Sequence, residues 1–232
     1  MRRLVIVGGL VLLAACAGPR PLTGTDRIDN VPMYGQPQIP RPETHRKADE
    51  EFISQAAAKF GGREQASKVW AAQAERFMAQ GNHDFAMRRY NQSWLLNPNH
   101  YAPYWGFGRV MLERDNKVDE AIGHLEKAMQ LIDDPFQKVA LLTDAATAYS
   151  VKANQTPAAP APYFERANRL FEESVAMDPK YPNSWRSWAR SLYFEGRYRE
   201  AWEKVDKARS LGAPPFPASF LKALSDKMPE PR

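Results

Sequence analysis

The stretch PNSWRSWARSLYFEGRYREAWEKVDKARSLG, Pro182–Gly212, decides how the chain reads. Trp185, Ala189 and Leu192 recur at helical spacing, Gly196 follows as a stop, and Ala201, Val205 and Ala208 take up the same spacing beyond it. That is two amphipathic helices joined by a tight turn. The alanines let paired helices approach closely, while the bulky residues fill the space between layers. Trp188 and Trp202 stand beside these positions and are read as packing against a neighbouring helix.

Counting back from Ala201 reaches Ala167, with Phe171, Ser174 and Pro179 after it. Ala121, Leu125 and Ala128 repeat the order, as do Ala86, Tyr90, Ser93 and Pro98. The alanines at 86, 121, 167 and 201 are 35, 46 and 34 residues apart. First-helix positions agree: Trp70, Ala74 and Phe77; Tyr104, Gly108 and Met111; Leu142, Ala146 and Tyr149. Asn97-Pro98 and Asp178-Pro179 end second helices, because proline lacks the amide proton and disfavours helix at the residue before it.

This pattern resembles the tetratricopeptide repeat, a helix–turn–helix unit of about 34 residues with the order W, L-G, Y, A, F, A, P. The resemblance implies an all-α fold, a right-handed solenoid of about four units near 67–100, 101–134, 135–180 and 181–212. Capping helices are expected at 47–60 and 217–227, since an end unit otherwise shows its apolar face to water. The long interval falls on Ala153–Pro162, where Asn-Gln-Thr-Pro and Ala-Pro pairs predict a loop insertion between the third unit's helices. Asn91–Pro98 followed by Tyr104–Gly108 is also similar to a group of small proteobacterial tetratricopeptide proteins. Gly106 and Gly108 fall within a helix, where each costs about 1 kcal/mol relative to alanine. Gly108 sits at a close crossing; Gly106 predicts close approach by a neighbouring helix, with a ligand as the alternative.

Residues 1–15 read as a signal peptide: Arg2 and Arg3 precede an apolar run, Leu4–Ala15, too short to span a bilayer. Leu13-Ala14-Ala15-Cys16 resembles a bacterial lipobox, which implies cleavage before Cys16 and its lipidation, palmitate being among such acyl chains. Two or more chains anchor stably where one does not. Ala17 replaces the aspartate that the resemblance associates with inner-membrane retention, so the expected place is the periplasmic face of the outer membrane. Residues 16–46 hold Pro19, Pro21, Pro32, Pro37, Pro40 and Pro42 with hardly any periodicity, and are read as a tether. At about 3.1 Å per residue, some 30 residues reach roughly 90 Å. The alternative is that Tyr34–Pro37 docks on the domain or on a partner. Residues 228–232 are read as a disordered tail.

Cys16 is the only cysteine, so no internal disulfide staples the fold. Without Arg2 and Arg3 the 32 basic residues fall to 30 against 27 acidic ones, a formal charge of +3 that is too balanced for nucleic acid. The chain has no glycine-rich phosphate loop, His-Glu-x-x-His, paired cysteines or serine-nucleophile motif, so neither an enzyme nor a cofactor is expected. His45, His83, His100 and His124 lack ligand spacing, so no metal is expected either. Asn91-Gln92-Ser93 matches a glycosylation triplet, but within a helix it is read as accidental.

Tetratricopeptide domains bind extended peptides in a groove lined by the second, fifth, ninth and twelfth first-helix positions. Carried over, these are Lys68, Ala71, Glu75 and Met78; Ala102, Trp105, Arg109 and Leu112; Ala140, Thr143, Thr147 and Ser150; Asn183, Arg186, Arg190 and Tyr193. The lysines and asparagines of the carboxylate-clamp version are mostly missing. What remains is a patch of Trp105, Arg109, Arg186, Arg190 and Tyr193 for an acidic or aromatic-bearing peptide, because arginine forks suit carboxylates and stack on rings. The competing reading leaves these arginines solvated, or makes them intrahelical salt-bridging neighbours of Glu113 and Glu195. The expected function is a lipid-anchored envelope scaffold or adaptor that binds protein partners or extended peptides through the groove, with a structural protein self-associating through its convex face or end caps as the alternative.

Overall fold

The computed structural model describes residues 28–231, all of them helix, turn or loop with no strand. The signal segment, Cys16 and the first part of the tether lie outside the described residues. Four helix pairs form the body: α2 (Arg63–Ala79) with α3 (His83–Leu96), α4 (Tyr101–Glu113) with α5 (Val118–Leu131), α6 (Pro135–Gln155) with α7 (Ala161–Met177), and α8 (Pro182–Glu195) with α9 (Tyr198–Ser210). They are preceded by α1 (Glu43–Phe60) and followed by α10 (Ala218–Lys227). The helices stop where local chemistry requires it. Gly61 and Gly196 take left-handed conformations, φ +77° and +85°, that close α1 and α8. Asn82 accepts the Phe85 amide to begin α3, and Asp134 accepts those of Phe136 and Gln137 to begin α6.

Each helix packs on its pair mate and then on the first helix of the next pair. First helices also touch one another, α2 with α4, α4 with α6 and α6 with α8, whereas second helices meet marginally at most. The stack therefore curves with the first helices inside. The repeat alanines at 74, 86, 121, 128, 146, 167, 189, 201 and 208 are all fully buried, and the large residues of one continuous core interleave with them. Trp202 is 1% exposed, and Trp188 stacks on Phe171 and Trp185, so both tryptophans are core. At the first end Phe52 and Phe60 of α1 meet Trp70 edge-on, around Ala56, Ala66 and Leu96.

Three expectations change. The insertion in the third unit is not a long loop: α6 runs 21 residues and α7 17, leaving a short turn at 156–160. Ala153 is buried, so packing favours continuing the helix over releasing it. The described part of the tether is not extended chain, because Ile28–Asn30 and Pro32–Gly35 form 3-10 turns lying on α3, and α1 begins at Glu43 rather than 47. Nor is the tail free. The Trp202 indole donates to the Met228 carbonyl at 2.8 Å, and Arg209 pairs with Glu230 at 2.6 Å.

Candidate functional site

The concave face is built from the first helices, and its N-terminal half is organised by an absence. A Cβ on Gly106 would lie 2.1 Å from Cζ of Tyr90, so the glycine exists to let the Tyr90 ring cross α4. The close approach expected at Gly106 is thus made by a side chain. Gly108 is likewise filled, by Leu125. The Tyr90 hydroxyl donates to Glu75 Oε1, and Arg109 Nη1 donates to Glu75 Oε2 at 2.8 Å. Arg109 Nε stands 3.8 Å from Asp144 Oδ2, which accepts the Trp105 indole N–H at 2.8 Å. Five side chains from α2, α3, α4 and α6 form one chain of charge and hydrogen bonds.

Burial, reinforced by Glu75, holds the Tyr90 hydroxyl well above the ordinary tyrosine range, so it stays a donor. Burial works against the Arg109 guanidinium, but Glu75 and Asp144 outweigh it and strengthen its hold on the proton. The pair does not shift symmetrically. The Asp144 carboxyl is raised, because burial outweighs the lowering by Arg109 and Trp105. Its side chain nevertheless keeps 40% of its surface accessible.

The C-terminal half differs. Arg186 places its guanidinium 5.6 Å from the Phe216 ring centre, and its buried Nε has no hydrogen-bond partner. Arg190, one turn on, is exposed and has no partner among the described residues. Tyr193 packs edge-on against Phe220 of α10, at 5.6 Å, and beside Phe194 and Tyr198. The structure therefore divides the five predicted residues. Trp105 and Arg109 are engaged within the fold, with Glu75 and Asp144 rather than Glu113 and Glu195, while Arg186, Arg190 and Tyr193 form a separate set beside the C-terminal cap.

Several predicted lining positions face inward. Ala71, Met78, Thr143 and Ser150 are buried. Thr143 meets Ser184, and Ser150 meets Ser191, each at 2.7 Å between α6 and α8. These small hydroxyl residues draw the two helices together and close the groove there. Asp144 is the residue that repeat positions miss, and Tyr90, itself a repeat residue, adds a hydroxyl whose bond to Glu75 its packing role does not foretell. The available signal for Asp144 is that it is the only carboxylate in α6. An open polar cleft of about 330 Å³ lies between the starts of α2 and α4 and the α5–α6 turn, lined by Glu64, Lys68, His100, Tyr101, Asp133 and Asp134 among others. Among the described residues no three potential metal ligands cluster.

Among solved structures the chain is similar to TTC0263, a thermophilic tetratricopeptide-repeat protein of Thermus thermophilus. The TM-score is 0.58 at 16% identity, over 69% of this chain and 80% of that one. It is also similar to PilF of Pseudomonas aeruginosa, with a TM-score of 0.47 at 18% identity, over 79% of this chain and 86% of that one. No protein-family model matches the chain, and no curated protein does. The likeness to TTC0263, together with the four stacked helix pairs, shows the fold to be a tetratricopeptide-type helical solenoid.

Proposed function

We propose that the protein is a lipid-anchored scaffold or adaptor of the cell envelope, held through Cys16 at the periplasmic face of the outer membrane, which takes acidic or aromatic-bearing segments of partner proteins on its concave face. Solenoids of this type serve protein–protein contact, and the observation that carries the reading is on α8. Arg186 and Arg190 share a helix face, occupy the positions that Trp105 and Arg109 hold in the second unit, and have no acidic partner among the described residues. A guanidinium already stripped of solvent on one side by Phe216 is suited to a carboxylate. Replacing both arginines with alanine weakens capture of crosslinked envelope partners at least about tenfold, since one decade corresponds to 1.4 kcal/mol. The helical signal and melting temperature stay near those of the parent. Undiminished capture by the folded double variant overturns the groove reading, and an unmodified Cys16 thiol in membrane-extracted protein, seen by mass spectrometry, overturns the anchor.

One observation favours the alternative of self-association. Phe136, at the start of α6, is 88% exposed. A stable oligomer of the lipid-free chain in light scattering, lost in Phe136→Ser, supports that reading instead.

A further inference from the structure

Asn91 lies on α3 with no accessible surface, yet its side chain carries two donors and an acceptor. All of them are met by the backbone of one distant segment. Nδ2 donates to the carbonyls of Asp29 at 3.0 Å and Val31 at 2.8 Å, and Oδ1 accepts the Tyr34 amide at 3.3 Å. Arg114 Nη2 donates to the Asn30 carbonyl at 2.9 Å, and Arg88 Nε stands 3.0 Å from Asp29 Oδ2, an ion pair without hydrogen-bond alignment. Pro32 is buried, and Met33 packs on the main core. Farther along, the Arg41 guanidinium lies 4.0 Å over the Tyr34 ring and forks onto Asp49 of α1.

The backbone carries the mark of being held. Met33 and Tyr34 have φ of +52° and +54°, which side-chain-bearing residues keep only where the surroundings impose it. Gly35, at φ +78°, has Ile39 Cδ1 2.8 Å from where a Cβ would stand. Burial, with Asp49 adding to it, pushes the Tyr34 hydroxyl up to about 12.

We propose that this face of α3 is a docking site for the chain's own anchor-bearing end, and that the docked strap, residues 28–41, sets the length of the leash. Only residues 17–27 then separate Cys16 from the repeats. Eleven residues reach at most about 40 Å, against the roughly 90 Å of a tether running to residue 46. The consequence for standing distance from a membrane rests on the lipid anchor proposed above; the leash itself does not.

Because Cys16 is the only cysteine, the leash can be measured directly. The chain from Cys16 onward, made without lipid, takes one spin label on Cys16 and a second on Lys117→Cys, an exposed position near Arg114. With the strap docked the leash is about 11 residues, for which a flexible chain would give a mean separation of about 20 Å. With the strap released by Met33→Asp the separation follows about 25 residues and moves toward about 30 Å. Met33→Asp alters the strap and not the helices, and Asn91→Leu serves as the second variant from the helix side; circular dichroism checks both. Lengthening in the folded variants supports the strap, while equal separations in parent and folded variants overturn it. If the lipidation reading alone is wrong, mass spectrometry of membrane-extracted protein finds an unmodified Cys16 thiol while the spin-label separations still change.

Discussion

Arg109 and Arg190 occupy the same place in their units, the ninth residue of a first helix, and meet opposite environments. The layer before Arg109 presents Glu75, itself a ninth residue, and the layer after it presents Asp144. The layer before Arg190 presents Thr147 at that position, and the layer after it is the cap, whose Phe216 and Phe220 offer rings instead of charge. A repeat fixes where a side chain stands, but the two neighbouring layers fix whether it is spent inside the fold or left for a partner.

That contrast breaks most readily at Gly106. Alanine favours a helix over glycine by about 1 kcal/mol, yet its methyl group would lie 2.1 Å from the fully buried Tyr90 ring. The ring has to leave the position from which it bonds Glu75. Overpacking of this kind costs up to about 3 kcal/mol, so Gly106→Ala is expected to lose about 2 kcal/mol net, a fall of roughly 4–8 °C in melting temperature. An unchanged melting curve would mean that the ring has another place to go and that the interior network is not locked.

The division is only half legible in the sequence. Helix pairing, the buried alanines and the close crossing at Gly108 follow from local periodicity, because repeat packing is decided by neighbours at fixed spacing. The Tyr90–Glu75–Arg109–Asp144–Trp105 chain does not, since it joins four helices through side chains that no repeat position requires. Asn91 is the clearest case. Inside a helix it reads as an accidental triplet, and its partners lie some 60 residues away in a segment without periodicity. The insertion at 153–162 departs from its loop-like composition for a related reason: Pro162 lies in the first turn of α7, where proline is tolerated, rather than breaking a helix.

Acid sharpens the contrast. His124, between the rings of Tyr104 and Phe107, is pushed down to about 4 by burial alone. His100, bonded to Ser67, is pushed down to about 4 by burial and then by Lys68, against Glu64 and Asp133. Both folded values lie below the ordinary 6.5, so between pH 6.5 and 4 the unfolded chain binds more protons. Their stabilising contribution is complete above that window and is lost as pH falls through it, by an amount of order 1 kcal/mol per histidine. No histidine lies beyond His124. Hydrogen exchange at pH 4.5 should therefore rise in α4 and α5 before α8 and α9, and urea titrations of His124→Phe should show a shallower loss than the parent. Exchange rising first at the C-terminal end would contradict this account.

The finest test is between the two arginines themselves. Arg109→Ala leaves Glu75 and Asp144 facing each other across α4. Water can take over part of the work, since their side chains are 48% and 40% exposed, so the loss should be about 1–2 kcal/mol rather than the 3–5 of a sealed pair. Arg190→Ala abandons no partner and should stay within about 0.5 kcal/mol of the parent. The pH dependence gives this difference its signature. Removing Arg109 takes away the charge that lowers Asp144, whose carboxyl burial already raises, so the aspartate protonates at higher pH in the variant. The penalty of Arg109→Ala is then greatest near pH 7 and shrinks as acid neutralises the abandoned carboxylate, whereas that of Arg190→Ala stays flat. Equal losses at both positions, with the same pH profile, would mean that Arg190 is already spent within the fold and that the concave face has no free half to offer.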